Sequence, residues 1–263
     1  MITIYRIFLY IFFGILPALV WLFYYLSKDL HPEPRTMILK VFLWGALITI
    51  PVFFVQLEFS KILDVVLSNL GLPNLDYLLK LSLPNLGPLP LVMVLIYWFL
   101  VIAFTEEFFK YLVVRWKVFS NQNLDEPVDI MIYMIIAALG FAALENILYL
   151  FSPIDSLSLD QVLSNALILS FVRFIGATFL HTLASGAIGY FLVIEVYEIE
   201  KRGWFLFSGL FLATILHGLY NFSVMTFKGT LQIAVPVTIL AGLAIFVLWA
   251  FNKVKQMKSI SEI

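Results

Sequence analysis

The stretch LPLVMVLIYWFLVIAFTEEFFKYLVV, residues 89–114, decides the fold. Residues 89–104 carry no charge, and then Thr105-Glu106-Glu107-Phe108-Phe109-Lys110 puts two carboxylates and an ammonium into the same apolar run. A run of this length suits a membrane-spanning helix, which needs about 20 residues. A charged side chain near mid-bilayer costs about 2.5–3.5 kcal/mol on insertion scales, and crowding of like charges adds to that. Lys110 follows Glu106 by four residues and Glu107 by three, so both carboxylates reach its ammonium on a helix. Taken alone, the stretch also fits a helix that ends in the headgroup region. The rest of the chain decides between the two readings.

Of 263 residues, 62% are hydrophobic and only 13% charged, with a mean hydropathy of +1.01. A soluble domain carries about 25% charged residues. The long continuous apolar runs point to an all-α polytopic transmembrane helix bundle and exclude a barrel of short alternating strands. A net charge of −1 argues against nucleic acid as a partner. With no cysteine, disulfides, thiolate metal sites and a cysteine nucleophile are excluded.

About seven spans are expected: Ile4 to Leu26, Met37 to Leu57, Leu89 to Val114, Ile130 to Phe151, Leu163 to Val196, Phe205 to Phe227 and Leu231 to Phe251. The first run has no small-residue cleavage pattern and reads as an anchor. The proline-rich break from Ser27 to Arg35 stops the first helix. Amphipathic surface helices are expected between spans two and three, from Glu58 to Pro88. The fifth run exceeds one perpendicular crossing and reads as one long helix extending beyond the membrane. Without internal repeats or a second domain, 1–263 is expected to form a single transmembrane helical domain.

Lys28, Arg35, Lys40, Arg115, Lys117, Lys201, Arg202, Lys253, Lys255 and Lys258 fall on one side. Only Arg6, Lys61, Lys80 and Lys228 fall on the other. The positive-inside rule then places the N-terminus outside and the C-terminus in the cytoplasm of a cell-membrane protein.

The polar residues within the spans are Glu106, Glu107, Lys110, Glu145, Asn146, Arg173, His181, Ser185, His217 and Asn221. Arg173, His181 and Ser185 lie along one helical face, and His217 and Asn221 are one turn apart. Singly, each has a structural reading: Arg173 as counter-ion to a glutamate, Ser185 and Asn221 as helix–helix glue. His31, in a proline-flanked loop, is read as non-catalytic. Together, three embedded glutamates and two histidines exceed what a purely structural bundle needs. Carboxylates and imidazoles can activate water and stabilise an oxyanion. The set Glu106, Glu145, His181 and His217 could also hold Zn²⁺. The His-Glu-x-x-His, Gly-x-Gly-Asp and Gly-x-Ser-Gly patterns of other intramembrane hydrolases are missing.

Glu106-Glu107-x-x-Lys110, Phe141-x-x-x-Glu145-Asn146, His181-x-x-x-Ser185 and His217-x-x-x-Asn221 resemble, in order, the four motifs of the PrsW family of intramembrane proteases. Asp29-x-x-Pro-Glu33-Pro34 resembles that family's N-terminal region. The family is distantly related to the CAAX prenyl proteases, whose second motif ends in His where this chain has Glu145. The resemblance implies an intramembrane endopeptidase acting on a membrane-anchored protein in the lipid bilayer, such as an anti-sigma factor. It carries essential roles onto Glu106, Glu107 and His181. By analogy with the prenyl proteases it favours a metal-free scheme: Glu106 as base, helped by His181 or Glu145, with His217 and Asn221 at the oxyanion. Lys110, Asn146, Arg173 and Ser185 are then supporting residues. No cofactor is favoured, and Zn²⁺ is the alternative. The competing readings are a proton-coupled transporter, using the same set as a relay, and a non-catalytic membrane scaffold.

Overall fold

The computed structural model describes residues 2–28, 32–119, 124, 126–151, 159–198 and 202–257. Among them lie helices α1 (Ile2–Leu26), α2 (Arg35–Asn69), α3 (Leu75–Lys80), α4 (Pro88–Ile96), α5 (Thr105–Lys117), α6 (Pro127–Leu150), α7 (Leu159–Ile175), α8 (Ala177–Tyr197), α9 (Arg202–Thr226) and α10 (Thr230–Val254), with no strand. Seven helical stretches are long and apolar enough to cross a membrane: Ile4–Leu26, Arg35–Asn69, Pro88–Lys117, Pro127–Leu150, Asp160–Tyr197, Gly203–Thr226 and Thr230–Val254. The chain is an all-α, multi-pass membrane protein. Asp29, His31, Asp155, Lys201 and Lys258 lie outside the described residues.

Helix α6 is the spine. It starts with Pro127 at a position that needs no backbone donor, and the Asp129 carboxylate accepts from the Glu126 N–H at 2.8 Å. Every residue from Pro127 to Ala143 is buried. Such all-round burial needs small residues where neighbours cross. A Cβ on Gly140 would meet the Phe42 carbonyl of α2, and one on Gly45 of α2 would meet the Ala137 carbonyl of α6. The two backbones touch there. On another side, Gly189 brings α8 onto Met131, where a Cβ would lie 2.8 Å from Met131 Cα. The outer faces of α1, α2, α7 and α10 expose Phe8, Phe23, Phe54, Phe171 and Ile245, an apolar belt suited to lipid.

Helix α2 runs on to Asn69, past the expected end near Leu57. Glu58 and Lys61 pair at 2.7 Å on its exposed side, and Leu63 and Leu67 are buried. The helix is unbroken through Glu58. It stops at Gly71, whose φ of 68° closes a Schellman turn: Leu72 N–H to Leu67 O at 2.9 Å and Gly71 N–H to Ser68 O at 3.0 Å. The expected surface helices are short: α3, capped by the Asn74 side chain, and a single 3₁₀ turn at Leu83–Asn85.

Two features depart from regular α-helix near the site. Between α4 and α5, Tyr97–Phe104 is a π-helix. The fifth run, expected as one helix, is broken at Gly176 (φ −106°, ψ −99°) into α7 and α8. Trp21 of α1 braces the break. Its indole N–H donates to the Phe174 carbonyl at 3.0 Å, and its ring stacks on Phe179 at 4.3 Å.

Candidate active site

Glu106, Glu107 and Lys110 come from the start of α5. The π-helical stretch before it sets their rotation, and the Thr105 hydroxyl takes up the Val101 and Ile102 carbonyls at 2.5 and 3.0 Å. Glu145 and Asn146 come from α6, Arg173 from α7, His181 and Ser185 from α8 and His217 from α9. Eight of the ten embedded residues expected from the sequence form one hydrogen-bonded network, and a ninth, Glu106, joins it through an ion pair with Lys110 at 3.6 Å. The tenth, Asn221, stands half-buried one turn past His217 and forms no hydrogen bond with the others.

The two adjacent glutamates have different surroundings. Glu107 is fully enclosed and saturated. Its Oε1 accepts from Lys110 Nζ at 2.8 Å and pairs with His217 Nδ1 at 2.9 Å, while its Oε2 accepts from Ser185 Oγ at 2.8 Å. Glu106 uses only one oxygen. Its Oε1 accepts from the Gln56 amide at 3.2 Å. Its Oε2 is buried without a hydrogen-bond partner. That atom lies 3.6 Å from Lys110 Nζ, 3.7 Å from His217 Nε2 and 4.0 Å from His181 Nδ1.

His181 is clamped at both nitrogens. Nδ1 faces Lys110 Nζ at 2.7 Å and Nε2 faces Glu145 Oε2 at 2.9 Å. An ammonium only donates, so Nδ1 accepts and the ring hydrogen sits on Nε2, donating to Glu145. Glu145 also accepts from Arg173 Nη2 at 2.6 Å. Arg173 Nε donates to Asn146 Oδ1. The Asn146 amide in turn donates to Thr178 Oγ1 at 3.1 Å and to the Gly14 carbonyl at 3.2 Å. This chain spans the break at Gly176 and fixes α7 to α8 and α1. Glu145 is the least enclosed of the three glutamates, with 19% of its side chain exposed.

Gln56 and Thr178 complete the network but belong to none of the sequence motifs. Gln56 did carry a signal: it is the one amide inside the apolar run from Met37 to Leu57, and a buried amide needs a partner. Formal charges of Glu106, Glu107 and Glu145 against Lys110 and Arg173 leave one negative charge unmatched.

The donor set fits a divalent ion. One ligand atom each from Glu106, His181 and His217 lie within 4.8 Å of one another. The orphaned Glu106 Oε2 is the carboxylate donor. Each histidine has its other nitrogen on a carboxylate, Glu145 or Glu107, as metal-bound histidines usually do. Glu145, expected as a fourth ligand, instead sits behind His181.

The chain is 28% identical over 248 residues to Protease PrsW of Geobacillus kaustophilus, covering 93% of this chain and 90% of that one. It is 29% identical to Protease PrsW of Oceanobacillus iheyensis, over 86% and 88% of the two chains. To Protease PrsW of Clostridioides difficile it is 30% identical, over 81% and 77%. No solved structure matches the chain. Residues 33–250 match the family described as PrsW family intramembrane metalloprotease, and the chain belongs to that family.

Proposed function

We propose that the chain is an endopeptidase that hydrolyses a peptide bond of a membrane-anchored regulatory protein, with Glu106 as the general base. The observation that carries this is the Glu106 Oε2 atom, buried, without a hydrogen-bond partner, and within 4 Å of both catalytic-site imidazoles. Every other carboxylate oxygen named in the site except Glu145 Oε1 has a donor.

A water beside Glu106 Oε2 gives it a proton while the water oxygen attacks the scissile carbonyl carbon. His217 Nε2 and Asn221 donate to the resulting oxyanion. Glu107 holds the ring from behind through Nδ1. The proton on Glu106 then passes to the leaving amine as the C–N bond breaks. His181, held between Lys110 and Glu145, fixes the polar wall that the water faces. A divalent ion bound by Glu106, His181 and His217 would supply a Lewis acid and lower the pKa of a bound water.

The single 1–263 domain sits in the cell membrane with its N-terminus outside and its C-terminus in the cytoplasm. Cleavage of a tagged single-pass protein in reconstituted vesicles tests the reading. Glu106→Gln and His181→Ala, each folded by its unfolding profile, should lose at least about a hundredfold in rate, the lower end of a general-base contribution. Unchanged cleavage by both variants would overturn it.

A further inference from the structure

Lys110 is fully buried, and its ammonium occupies the centre of the cluster. It lies 2.7 Å from His181 Nδ1, 2.8 Å from Glu107 Oε1 and 3.6 Å from Glu106 Oε2, over the Phe141 ring at 4.4 Å. His181 has committed Nε2 to Glu145 at 2.9 Å. The one nitrogen it can offer an ion is therefore Nδ1, and the lone pair there already accepts from Lys110. A zinc–nitrogen bond runs along that same lone pair at about 2.0–2.1 Å. Ion and ammonium cannot both sit there. They also answer the same electrostatic need, a cation among Glu106 and Glu107.

We propose that Lys110 is a tethered cation holding the ion position of this site, so that a divalent ion binds Glu106, His181 and His217 only after the Lys110 side chain withdraws. The ammonium keeps the carboxylates and His181 in ligand geometry and at the same time lowers the site's affinity for metal. Removing it frees the Nδ1 lone pair and leaves two carboxylates without their cation. Both effects favour a divalent ion. The inference uses the same three side chains as the proteolytic reading and deepens it, but its measurement needs no substrate, so a chain that cuts nothing still answers it.

The experiment is zinc-binding calorimetry on the full chain in detergent, stripped with chelator beforehand, with cobalt absorption as a second probe. Wild type, Lys110→Met, Lys110→Gln and the double variant Lys110→Met, His217→Ala are compared. Lys110→Met and Lys110→Gln should bind zinc at least about tenfold more tightly than wild type, about 1.4 kcal/mol. Visible cobalt bands should appear in Lys110→Met and disappear in the double variant. Equal affinity in wild type and both Lys110 variants, or binding by none of them, overturns the proposal. If Lys110→Met unfolds without metal, zinc present during solubilisation should restore its yield and raise its unfolding temperature, and the double variant should not respond. A Lys110→Met chain that zinc leaves unrescued also overturns it.

Discussion

Glu106 and Glu107 are the same residue one position apart, yet one is saturated with donors and the other keeps a buried oxygen free. The difference comes from what each helix neighbour presents. Gln56 is the residue that creates the asymmetry within Glu106, because its amide takes Oε1 at 3.2 Å and so aims Oε2 between the two imidazoles. Gln56→Leu should therefore lower kcat about tenfold with KM little changed, since a hydrogen bond to a charged group is worth about 1.5–3 kcal/mol. Gln56→Glu should not rescue it, because it sets a carboxylate against a carboxylate. Steady-state cleavage kinetics of the two variants check this. The motif residues were legible from the sequence because charge inside an apolar run is conspicuous and spacing of three or four puts it on one face. Their division of labour was not legible. Nothing in Glu106-Glu107 says which one Ser185, Lys110 and His217 will enclose, since those partners sit on α5, α8 and α9 at distances only the packed bundle sets.

At the scale of elements, α6 is the part most dependent on shape. Gly140 and Gly45 let two backbones touch, so any side chain there must push α2 away from α6. Gly140→Val should destabilise the chain by about 1–3 kcal/mol through overpacking. Gly242→Ala, on α10 with open space around its Cα, should leave stability within about 0.5 kcal/mol of wild type or above it. Thermal unfolding of the two variants in one detergent gives the comparison. Long apolar stretches announced the spans, but element ends were less readable. Glu58, Lys61 and Asp64 read as a departure from the membrane and suggest a helix end; the helix nevertheless continues because Leu63 and Leu67 still have a core to bury into. The break at Gly176 is not legible in the sequence, because a lone glycine in an apolar run is compatible with a straight helix. What bends it is tertiary: the Trp21 indole takes the Phe174 carbonyl, and the Tyr220 hydroxyl would lie 2.5 Å from any Cβ at residue 176.

At the scale of the whole molecule, the number of spans and their charge asymmetry decide which side each connection faces. The proposed orientation puts Lys253 and Lys255 in the cytoplasm and the α2–α4 connection outside. The chain contains no cysteine, so single cysteines can be introduced without background. Ser82→Cys should react with an impermeant maleimide on intact cells, and Gln256→Cys should react only after permeabilisation. The reverse pattern would invert the topology. Fold class was legible at this scale from composition alone, since an 18-residue apolar window recurs in seven stretches. The route by which four separate segments meet was not, because sequence spacing fixes faces of helices but not which helices are neighbours.

The π-helical segment Tyr97–Phe104 has a consequence for how such a protein can change over generations. Each residue of a helix advances the next by about 100°. The glutamate pair points inward because the wider turns upstream have absorbed part of that rotation. Point substitutions among these apolar residues leave the count intact and keep the pair aimed. A one-residue deletion leaves every polar group of the cluster chemically present and turns the pair toward a different neighbour. Over this segment, length rather than identity is the inherited quantity, and a shortened relative with all four motifs preserved would have lost the geometry that gives those motifs meaning.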